Sequence, residues 1–258
     1  MCSSDLNVQV LVYFGKQHAT ASGTEFTDDA LQKIVRTAEE AARFAPEDPE
    51  YVPELQPQTY LPINPYFSST AAMTPELRAK GVQSSIEPSI KKDLVSAGFF
   101  SNRHGFSAVG NNHKLFGYYQ GTYASFSVTT RTQDGLGSGW GSDSARNIDR
   151  VDYQAASSRA LEKAEASSNS KTLEPGTYPV ILEPQAVSDF MRTGSYALNA
   201  RSADEGRSFF SKSGGGNKIG EKVAGENVTG RIDPTPPDTL GIRTEESRAG
   251  DDGRSRRS

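Results

Sequence analysis

The residue types that most often carry catalysis are scarce in this sequence. Its 258 residues include one cysteine, Cys2, and three histidines, His18, His104 and His113. A catalytic zinc needs about three protein ligands, and the HExxH pattern that brings two histidines to one helix face does not occur. His104 and His113 flank a predicted turn. They are either ordinary strand histidines, or a pair that faces each other across a hairpin and belongs to a hydrolase site.

Two other segments have only a superficial likeness to catalytic or binding sites. The run 214–222 has the glycines of a phosphate cradle, but Glu221 stands where a P-loop has its lysine, and Val223 follows Lys222 in place of a hydroxyl residue. A carboxylate there would repel phosphate, so we interpret the run as a surface loop. The segment 103–107 holds a histidine and a serine, but the sequence has no G-x-S-x-G nucleophile elbow.

The composition argues against several classes of protein. The formal net charge is −4 and 34% of the residues are hydrophobic. A slightly acidic balance argues against direct nucleic-acid binding, which usually needs a basic face. One cysteine allows neither an intrachain disulfide nor a thiolate metal cluster. No apolar run approaches the roughly 18 residues of a membrane helix, so we expect a cytoplasmic protein without membrane contact.

The first elements are predicted to be a strand, a helix and a linker. The β-rich run Val8–Phe14 predicts a strand whose partners would lie upstream. Asp28–Phe44 has apolar residues at helical spacing, and Thr27 can cap it. Six prolines between residues 46 and 66 predict an extended linker and a domain boundary.

A second helix and an antiparallel sheet are predicted to follow. The helix starts at Thr74-Pro75, is kinked by Pro88 and ends at Gly98. Alternation of apolar and polar residues then predicts three antiparallel strands, at 99–110, 113–120 and 122–132.

Turn residues separate these predicted strands. Asn111-Asn112 supplies the first turn and Gly121 breaks the next pair. Residues 134–139 are predicted to be a glycine-rich loop that leads to Trp140.

The last predicted elements are a helix at 149–166, a short strand at 178–182 and a helix at 184–200. The final helix is expected to face inward through six apolar residues: Ala186, Val187, Phe190, Met191, Ala197 and Leu198. Together the elements predict an α+β fold in which helices pack on an antiparallel sheet.

Five sequence blocks and a helix-to-linker junction carry a resemblance to a known family. The blocks are GSGW at 137–140, the segment 153–164, LEPGTYPVILEP at 173–184, EGRSFF at 205–210 and NKIGEKV at 217–223, and the junction lies at 41–60. In combination they resemble the TldD/PmbA family, named as modulators of DNA gyrase and related to metallopeptidases. The resemblance covers residues 7–240 and implies a partial TldD/PmbA-type architecture.

The resemblance also implies which type of family member this chain is. TldD-type members carry HExxxH on a helix, usually as HEAVGH. Aligning its Ala-Val with residues 186–187 places Pro184 and Asp189 at the two histidine positions and Gln185 at the glutamate position. Proline cannot ligate a metal and glutamine cannot act as a general base. The chain therefore resembles the metal-free PmbA/TldE type, with no catalytic or metal-binding residue of its own.

A function follows from the resemblance. It implies a heterodimer in which a TldD-type metallopeptidase subunit supplies zinc, and the pair cleaves unfolded or extended peptides. Glu183, Gln185, Asp189 and Arg207 are expected near the counterpart of the metal site or peptide channel. The alternatives are a scaffold or peptide-binding protein without proteolytic activity, and a self-contained hydrolase that uses His104 or His113.

The resemblance and the composition together predict four segments. Residues 1–6 could be translated from a sequencing adapter, so we expect a non-native leader there. Residues 7–60 are expected to be the end of an N-terminal α/β domain and its linker, and residues 61–240 an incomplete central and C-terminal α+β domain. Residues 241–258 are charged and almost without apolar side chains, so a disordered or aberrant tail of a protein fragment is expected.

Overall fold

The structure is a computed structural model whose description covers residues 6–60, 65–222, 225–226 and 228. The fold is α+β, as predicted, with antiparallel sheets and helices packed on them. The predicted tail lies outside the described residues, and so does the predicted leader apart from Leu6. The described residues form two compact units: the first contains 6–60 and 108–118, and the second contains 65–107 and the chain from 119 onward.

The first unit is built on a hairpin and one helix. Strand β1 (Val8–Phe14) pairs antiparallel with β2 (Gln17–Gly23), from Phe14 opposite Gln17 to Val8 opposite Gly23. The sequence predicts partners upstream of β1, and the structure shows one partner downstream of it. The partner follows β1 directly, because Gly15 takes a φ of 62° and allows a tight turn. The sequence of β2, QHATASG, has few of the residues that favour strands, so its composition does not predict a strand.

Helix α1 (Asp28–Phe44) has the predicted bounds. The Thr27 side chain accepts a hydrogen bond from the Ala30 amide at 3.3 Å, as an N-cap does. Ile34, Ala38 and Ala42 are buried, and α1 packs on both strands of the hairpin. Beyond the helix, residues 45–60 have neither helix nor strand, as the prolines predict.

The second unit begins with two helices, α2 (Ser68–Ala71) and α3 (Pro75–Lys91). The predicted start of α3 is confirmed, since the Thr74 side chain accepts from the Leu77 amide at 3.3 Å. The predicted end at Gly98 is wrong. Asp93 takes a φ of 53°, which stops the helix at Lys91, and Pro88 lies inside it. Helix α2 has only four residues, too few for a periodic pattern.

The three-stranded sheet differs from the prediction in its strands. Its order is β3 (Leu94–Gly110), β4 (Phe116–Thr132) and β5 (Ser138–Ala145), all antiparallel neighbours. The predicted strands 113–120 and 122–132 are mostly one strand, because Gly121 lies within β4 without breaking it. The predicted turn after β3 is confirmed, with the Asn111 amide donating to the Leu115 carbonyl at 3.1 Å. The third strand, β5, occupies the end of the predicted glycine-rich loop and the residues after it.

Helix α4 (Tyr153–Ala166) packs along β5 and begins four residues later than predicted. The Asp152 carboxylate caps it by accepting from the Ala155 amide at 2.8 Å, and residues 148–150 form a 3₁₀ turn instead of helix.

Three alternate glycines let the β5 region and α4 approach backbone to backbone. A Cβ atom on each would lie 2.0–2.3 Å from a carbonyl oxygen of α4, a distance that real Cβ atoms essentially never show. The pairs are Gly137 with Ala164, Gly139 with Ala160, and Gly141 with Ala156.

The core of the second unit lies between this sheet and helices α3 and α4. Phe126 is 2% exposed, and its ring packs edge-to-face with that of Phe100, with the ring centroids 5.3 Å apart. Hydroxyl contacts link the helices to each other and to the sheet: the Ser157 hydroxyl of α4 lies 2.5 Å from that of Ser85 on α3, and the Ser89 hydroxyl of α3 lies 2.6 Å from that of Ser96 on β3.

The chain after α4 has helices but little packing. Helices α5 (Pro184–Ser195) and α6 (Ala200–Asp204) flank a 3₁₀ turn at 196–198. The predicted strand at 178–182 is wrong, because these residues form no strand and Ile181 is fully exposed. The predicted helix over 184–200 ends at Ser195.

The predicted inward face of this helix is also wrong. Of its six apolar residues Ala197 alone is half-buried, while Phe190 is 75% exposed. Helical spacing shows that a helix has an apolar face, but it does not show that a surface lies opposite that face.

Candidate functional site

Glu183 stands immediately before α5 and connects the helix start to the packed part of the second unit. Its carboxylate accepts a hydrogen bond from the Lys163 ammonium at 2.5 Å. Lys163 lies on α4 and also donates to the Trp140 carbonyl of β5 at 3.2 Å. Lys163 is not among the residues predicted from the sequence. Its place in the family-like segment 153–164 was the one available signal, since twenty residues separate it from Glu183.

Gln185 and Asp189 share one face of α5. The Gln185 amide donates to the Asp189 carboxylate at 3.1 Å, as side chains four residues apart on a helix do. The other carboxylate oxygen of Asp189 lies 3.6 Å from the Arg192 guanidinium. The structure therefore joins two of the four predicted site residues directly and places Glu183 at the start of their helix.

Arg207 lies in the turn after α6 and pairs with Glu205. Arg201 also donates to Glu205, at 2.9 Å. The hydrogen bond from Arg207, followed by that from Arg201, holds the pKa of Glu205 below its usual value. Among the described contacts, none joins Arg207 to the three residues at α5.

The side chains at the start of α5 do not fit a catalytic zinc. Pro184 has no ligating side-chain atom, Gln185 offers an amide, and Asp189 already accepts from Gln185 and faces Arg192. Zinc sites in proteins use histidine, cysteine and carboxylate ligands, usually three or four together. Within the described residues no group of three such side chains could hold a metal ion.

The histidines do not face each other across the β3–β4 hairpin. His113 lies in the turn between the strands, and its Nε2 atom is 3.8 Å from the Glu54 carboxylate. His18 lies on β2 with its Nδ1 atom 3.9 Å from Asp48. His104 is exposed on β3.

The glycine-rich run lies in a surface loop, as predicted. Gly214, Gly215 and Gly216 all take left-handed φ angles between 82° and 108° and are exposed. The Glu221 carboxylate that the sequence placed in the cradle pairs with the Lys212 ammonium at 2.6 Å.

Two open clefts lie elsewhere and include none of the four residues. One of about 560 Å³ lies between β2 and the first half of α1, in the first unit. The other, of about 510 Å³ and in the second unit, has an apolar floor of Met73, Phe100 and Val151 beneath the start of α4. None of the described helices is both long enough and apolar enough to cross a membrane.

Comparison with protein families gives two matches. Residues 72–168 match the PmbA/TldA metallopeptidase central domain, and residues 175–248 match the PmbA/TldA metallopeptidase C-terminal domain. Together the two matches cover well over half of the chain. The chain belongs to the PmbA/TldD family. The first match spans α3 to α4, and the second begins before α5, so all four predicted site residues lie in the C-terminal-domain match.

Solved structures of the family share this fold. A candidate modulator of a DNA gyrase from Thermotoga maritima has a TM-score of 0.67 at 18% identity, covering 77% of this chain and 46% of that one. A candidate modulator of DNA gyrase from Bacteroides thetaiotaomicron has a TM-score of 0.67 at 15% identity, covering 78% and 48%. TldE from Thermococcus kodakarensis has a TM-score of 0.53 at 15% identity, covering 62% and 42%.

This PmbA/TldD chain thus spans less than half the length of these solved structures. At such identities the likeness shows the fold alone. A search of the curated proteins gives no match.

Proposed function

We propose that this chain is the metal-free subunit of a cytoplasmic TldD/PmbA-type peptidase that cleaves unfolded or extended peptides. The start of α5 carries the proposal. The positions that the family resemblance assigns to histidine, glutamate and histidine hold Pro184, Gln185 and Asp189. Gln185 and Asp189 bond to each other, so they form a polar stripe instead of a metal-binding set.

In the proposed complex the catalytic groups belong to the partner subunit. A TldD-type subunit supplies the zinc and the general base, and this chain binds and orients the peptide. Glu183 is the residue best placed to position α5, because Lys163 connects its carboxylate to the backbone of β5. Arg207 offers a guanidinium that donates two hydrogen bonds to Glu205.

Reconstitution tests the proposal. The full chain would be co-expressed with a TldD-type subunit of the same organism, and the pair purified by size exclusion. Zinc would be measured by mass spectrometry, and cleavage with casein as an unfolded substrate. We expect one complex, zinc that follows the partner, and casein cleavage by the pair but not by this chain alone.

Two results would contradict the proposal. Zinc bound in a stoichiometric amount to this chain alone would show that it has a metal site of its own. A complex that binds casein without cleaving it would favour the alternative function, a scaffold or peptide-binding protein. Glu183→Gln in the complex should lower casein cleavage, whereas Lys171→Gln, at an exposed lysine outside the site, should leave it near the wild-type rate.

A further inference from the structure

Two of the three histidines face carboxylates of one short segment in the first unit. Residues 45–55 follow α1, contain neither helix nor strand, and are named the strap. The Nδ1 atom of His18 on β2 lies 3.9 Å from the carboxylate of Asp48, toward the start of the strap. The Nε2 atom of His113, in the turn between β3 and β4, lies 3.8 Å from the carboxylate of Glu54, toward its end. The two histidines therefore contact the same segment at two places.

Hydrogen bonds that do not depend on a titrating group hold the strap at the same two places. Near the first pair, the Asp48 amide donates to the Lys16 carbonyl at 3.0 Å. Near the second pair, the side-chain amide of Asn111 donates to the Leu55 carbonyl at 2.9 Å. These neutral contacts fix where the strap lies, and the histidines can add a charged contact to each of them.

Each imidazole–carboxylate pair is too long for a hydrogen bond, although it contains a buried atom that needs one. The Nδ1 atom of His18 and the Oε2 atom of Glu54 are buried and have no hydrogen-bond partner among the described residues. A buried polar atom without a partner costs free energy, and an N–H group donates to oxygen at about 3 Å. A small closing movement would complete both pairs. A proton on each imidazole favours this movement, because an imidazolium attracts a carboxylate.

The histidines are the groups around the strap that change charge near neutral pH. The charged or titratable side chains beside His18 and Asp48 include Tyr13 on β1, Lys16 in the hairpin turn, Arg43 at the end of α1, and Glu47 and Tyr51 in the strap. Those beside His113 and Glu54 include Lys114 in the β3–β4 turn and Tyr60 after the strap. Of these residue types, histidine alone ordinarily titrates between about pH 5 and 8.

We propose that His18 and His113 form a pH-sensitive clamp, which holds the strap when both imidazoles are protonated and loosens it when they are neutral. Imidazolium and carboxylate coexist near about pH 6, so the attraction is present there and is lost as the pH rises toward about 8. Both pairs are partly exposed, and one exposed ion pair is weak. The expected effect is therefore a several-fold change that depends on two pairs acting on one segment.

Hydrogen exchange of the full chain tests the clamp. Exchange into deuterium oxide would be followed by mass spectrometry at about pH 6 and about pH 8, the two sides of an ordinary histidine titration. Each rate is compared with that of an unstructured chain of the same sequence at the same pH, because exchange itself is base-catalysed. We expect protection of the strap to fall several-fold from the lower to the higher pH, while that of α1 stays unchanged. Equal protection of the strap at both pH values would overturn the proposal.

Histidine variants assign the change to the two pairs. His18→Gln combined with His113→Gln keeps polar side chains and removes both titrating groups. The strap of this double variant should have, at both pH values, the low protection that the wild-type chain has at the higher pH. His104→Gln, at an exposed histidine on β3, is the matched control and should keep the wild-type pH dependence. A double variant that keeps the pH dependence, or a His104→Gln chain that loses it, would refute the clamp.

The carboxylates offer a second test that leaves all three histidines in place. Asp48→Asn keeps an oxygen that can accept from the Glu50 amide, as the carboxylate does at 2.8 Å. Combined with Glu54→Gln, it should remove the pH dependence as fully as the histidine pair does, and it decides the matter if the histidine double variant unfolds. A pH dependence that survives the loss of both carboxylates would contradict the clamp. The measurements need neither a partner nor casein, so the clamp and the peptidase role stand or fall separately.

Discussion

Helices α4 and α5 are both amphipathic in sequence, yet they are used in opposite ways. Five residues of α4 are buried, and it lies against β5 through Ala156, Ala160 and Ala164. None of the residues of α5 is buried, and Phe190 is 75% exposed. The difference is in what faces each helix: α4 has a strand region with three alternate glycines, and α5 has no comparable surface among the described residues. A helix packs where two surfaces are complementary, and its own periodicity gives only one of them.

The largest expected effect is at the glycine contact. Gly139→Ala would place a methyl group 2.0 Å from the Ala160 carbonyl, and because the obstacle is backbone, helix and strand must separate. We expect the free energy of unfolding to fall by about 5 kcal/mol, more than for ordinary overpacking, because the methyl group meets backbone and not a side chain that could move aside. Urea denaturation of the full chain measures it. Ser138→Ala, on the exposed side of the same strand, is the control and should stay within about 0.5 kcal/mol of wild type. Equal stability of the two variants would disprove the close approach.

A cavity in α4 should have a smaller effect. Leu161 is 6% exposed, so Leu161→Ala removes a buried side chain and leaves a cavity. We expect a loss of about 2–4 kcal/mol, at or below that of the glycine variant once the helix relaxes. Thermal unfolding followed by circular dichroism measures the change. A loss below about 1 kcal/mol would mean that α4 is not packed as described.

The contrast explains how much of the fold could be predicted. Caps and helical periods are local, so Thr27, Thr74 and the bounds of α1 follow from neighbouring residues. Strand β5 was not predicted because its glycines have the composition of a loop. These glycines make room for the backbone of α4, which follows later in the chain. Gly121 does not break β4, since the strand continues through it beside the long strand β3.

The candidate site was predictable only in part. Gln185 and Asp189 are four residues apart, so their contact follows from helical spacing. The link from Lys163 to Glu183 does not, because it depends on how the chain returns to α4 after residues 167–182. The exposure of α5 was unpredictable for the same reason, since burial depends on a partner surface that no local pattern contains.

Beyond α5, ion pairs act on the titration of one carboxylate. The pKa of Glu205 is lowered first by Arg207 and then by Arg201. A carboxyl whose pKa is lowered by folding stabilises the folded chain at any pH above its pKa in the unfolded chain. This stability is lost as the pH falls through the pKa of the folded chain. We expect Arg207→Gln to raise the pKa of Glu205 toward its ordinary value, with Arg201→Gln having a smaller effect.

Carboxyl-carbon NMR titration of the full chain measures this shift. Arg192→Gln is the control, because Arg192 pairs with Asp189 on α5 and should leave the Glu205 titration unchanged. If neither Arg207→Gln nor Arg201→Gln moves the titration, the ion pairs of the α6 turn do not persist in solution.

The smallest expected effect is on α5, and it tests the comparison most directly. Phe190→Ala removes a large apolar side chain that is 75% exposed, so we expect the free energy of unfolding to change by no more than about 0.5 kcal/mol. Phe126→Ala, at a phenylalanine only 2% exposed, is the matched reference and should cost about 3–5 kcal/mol. Both are measured by urea denaturation under the same conditions. Comparable losses would mean that another surface covers Phe190 in solution. The apolar face of α5 would then be packed as that of α4 is, and the contrast between the two helices would not hold.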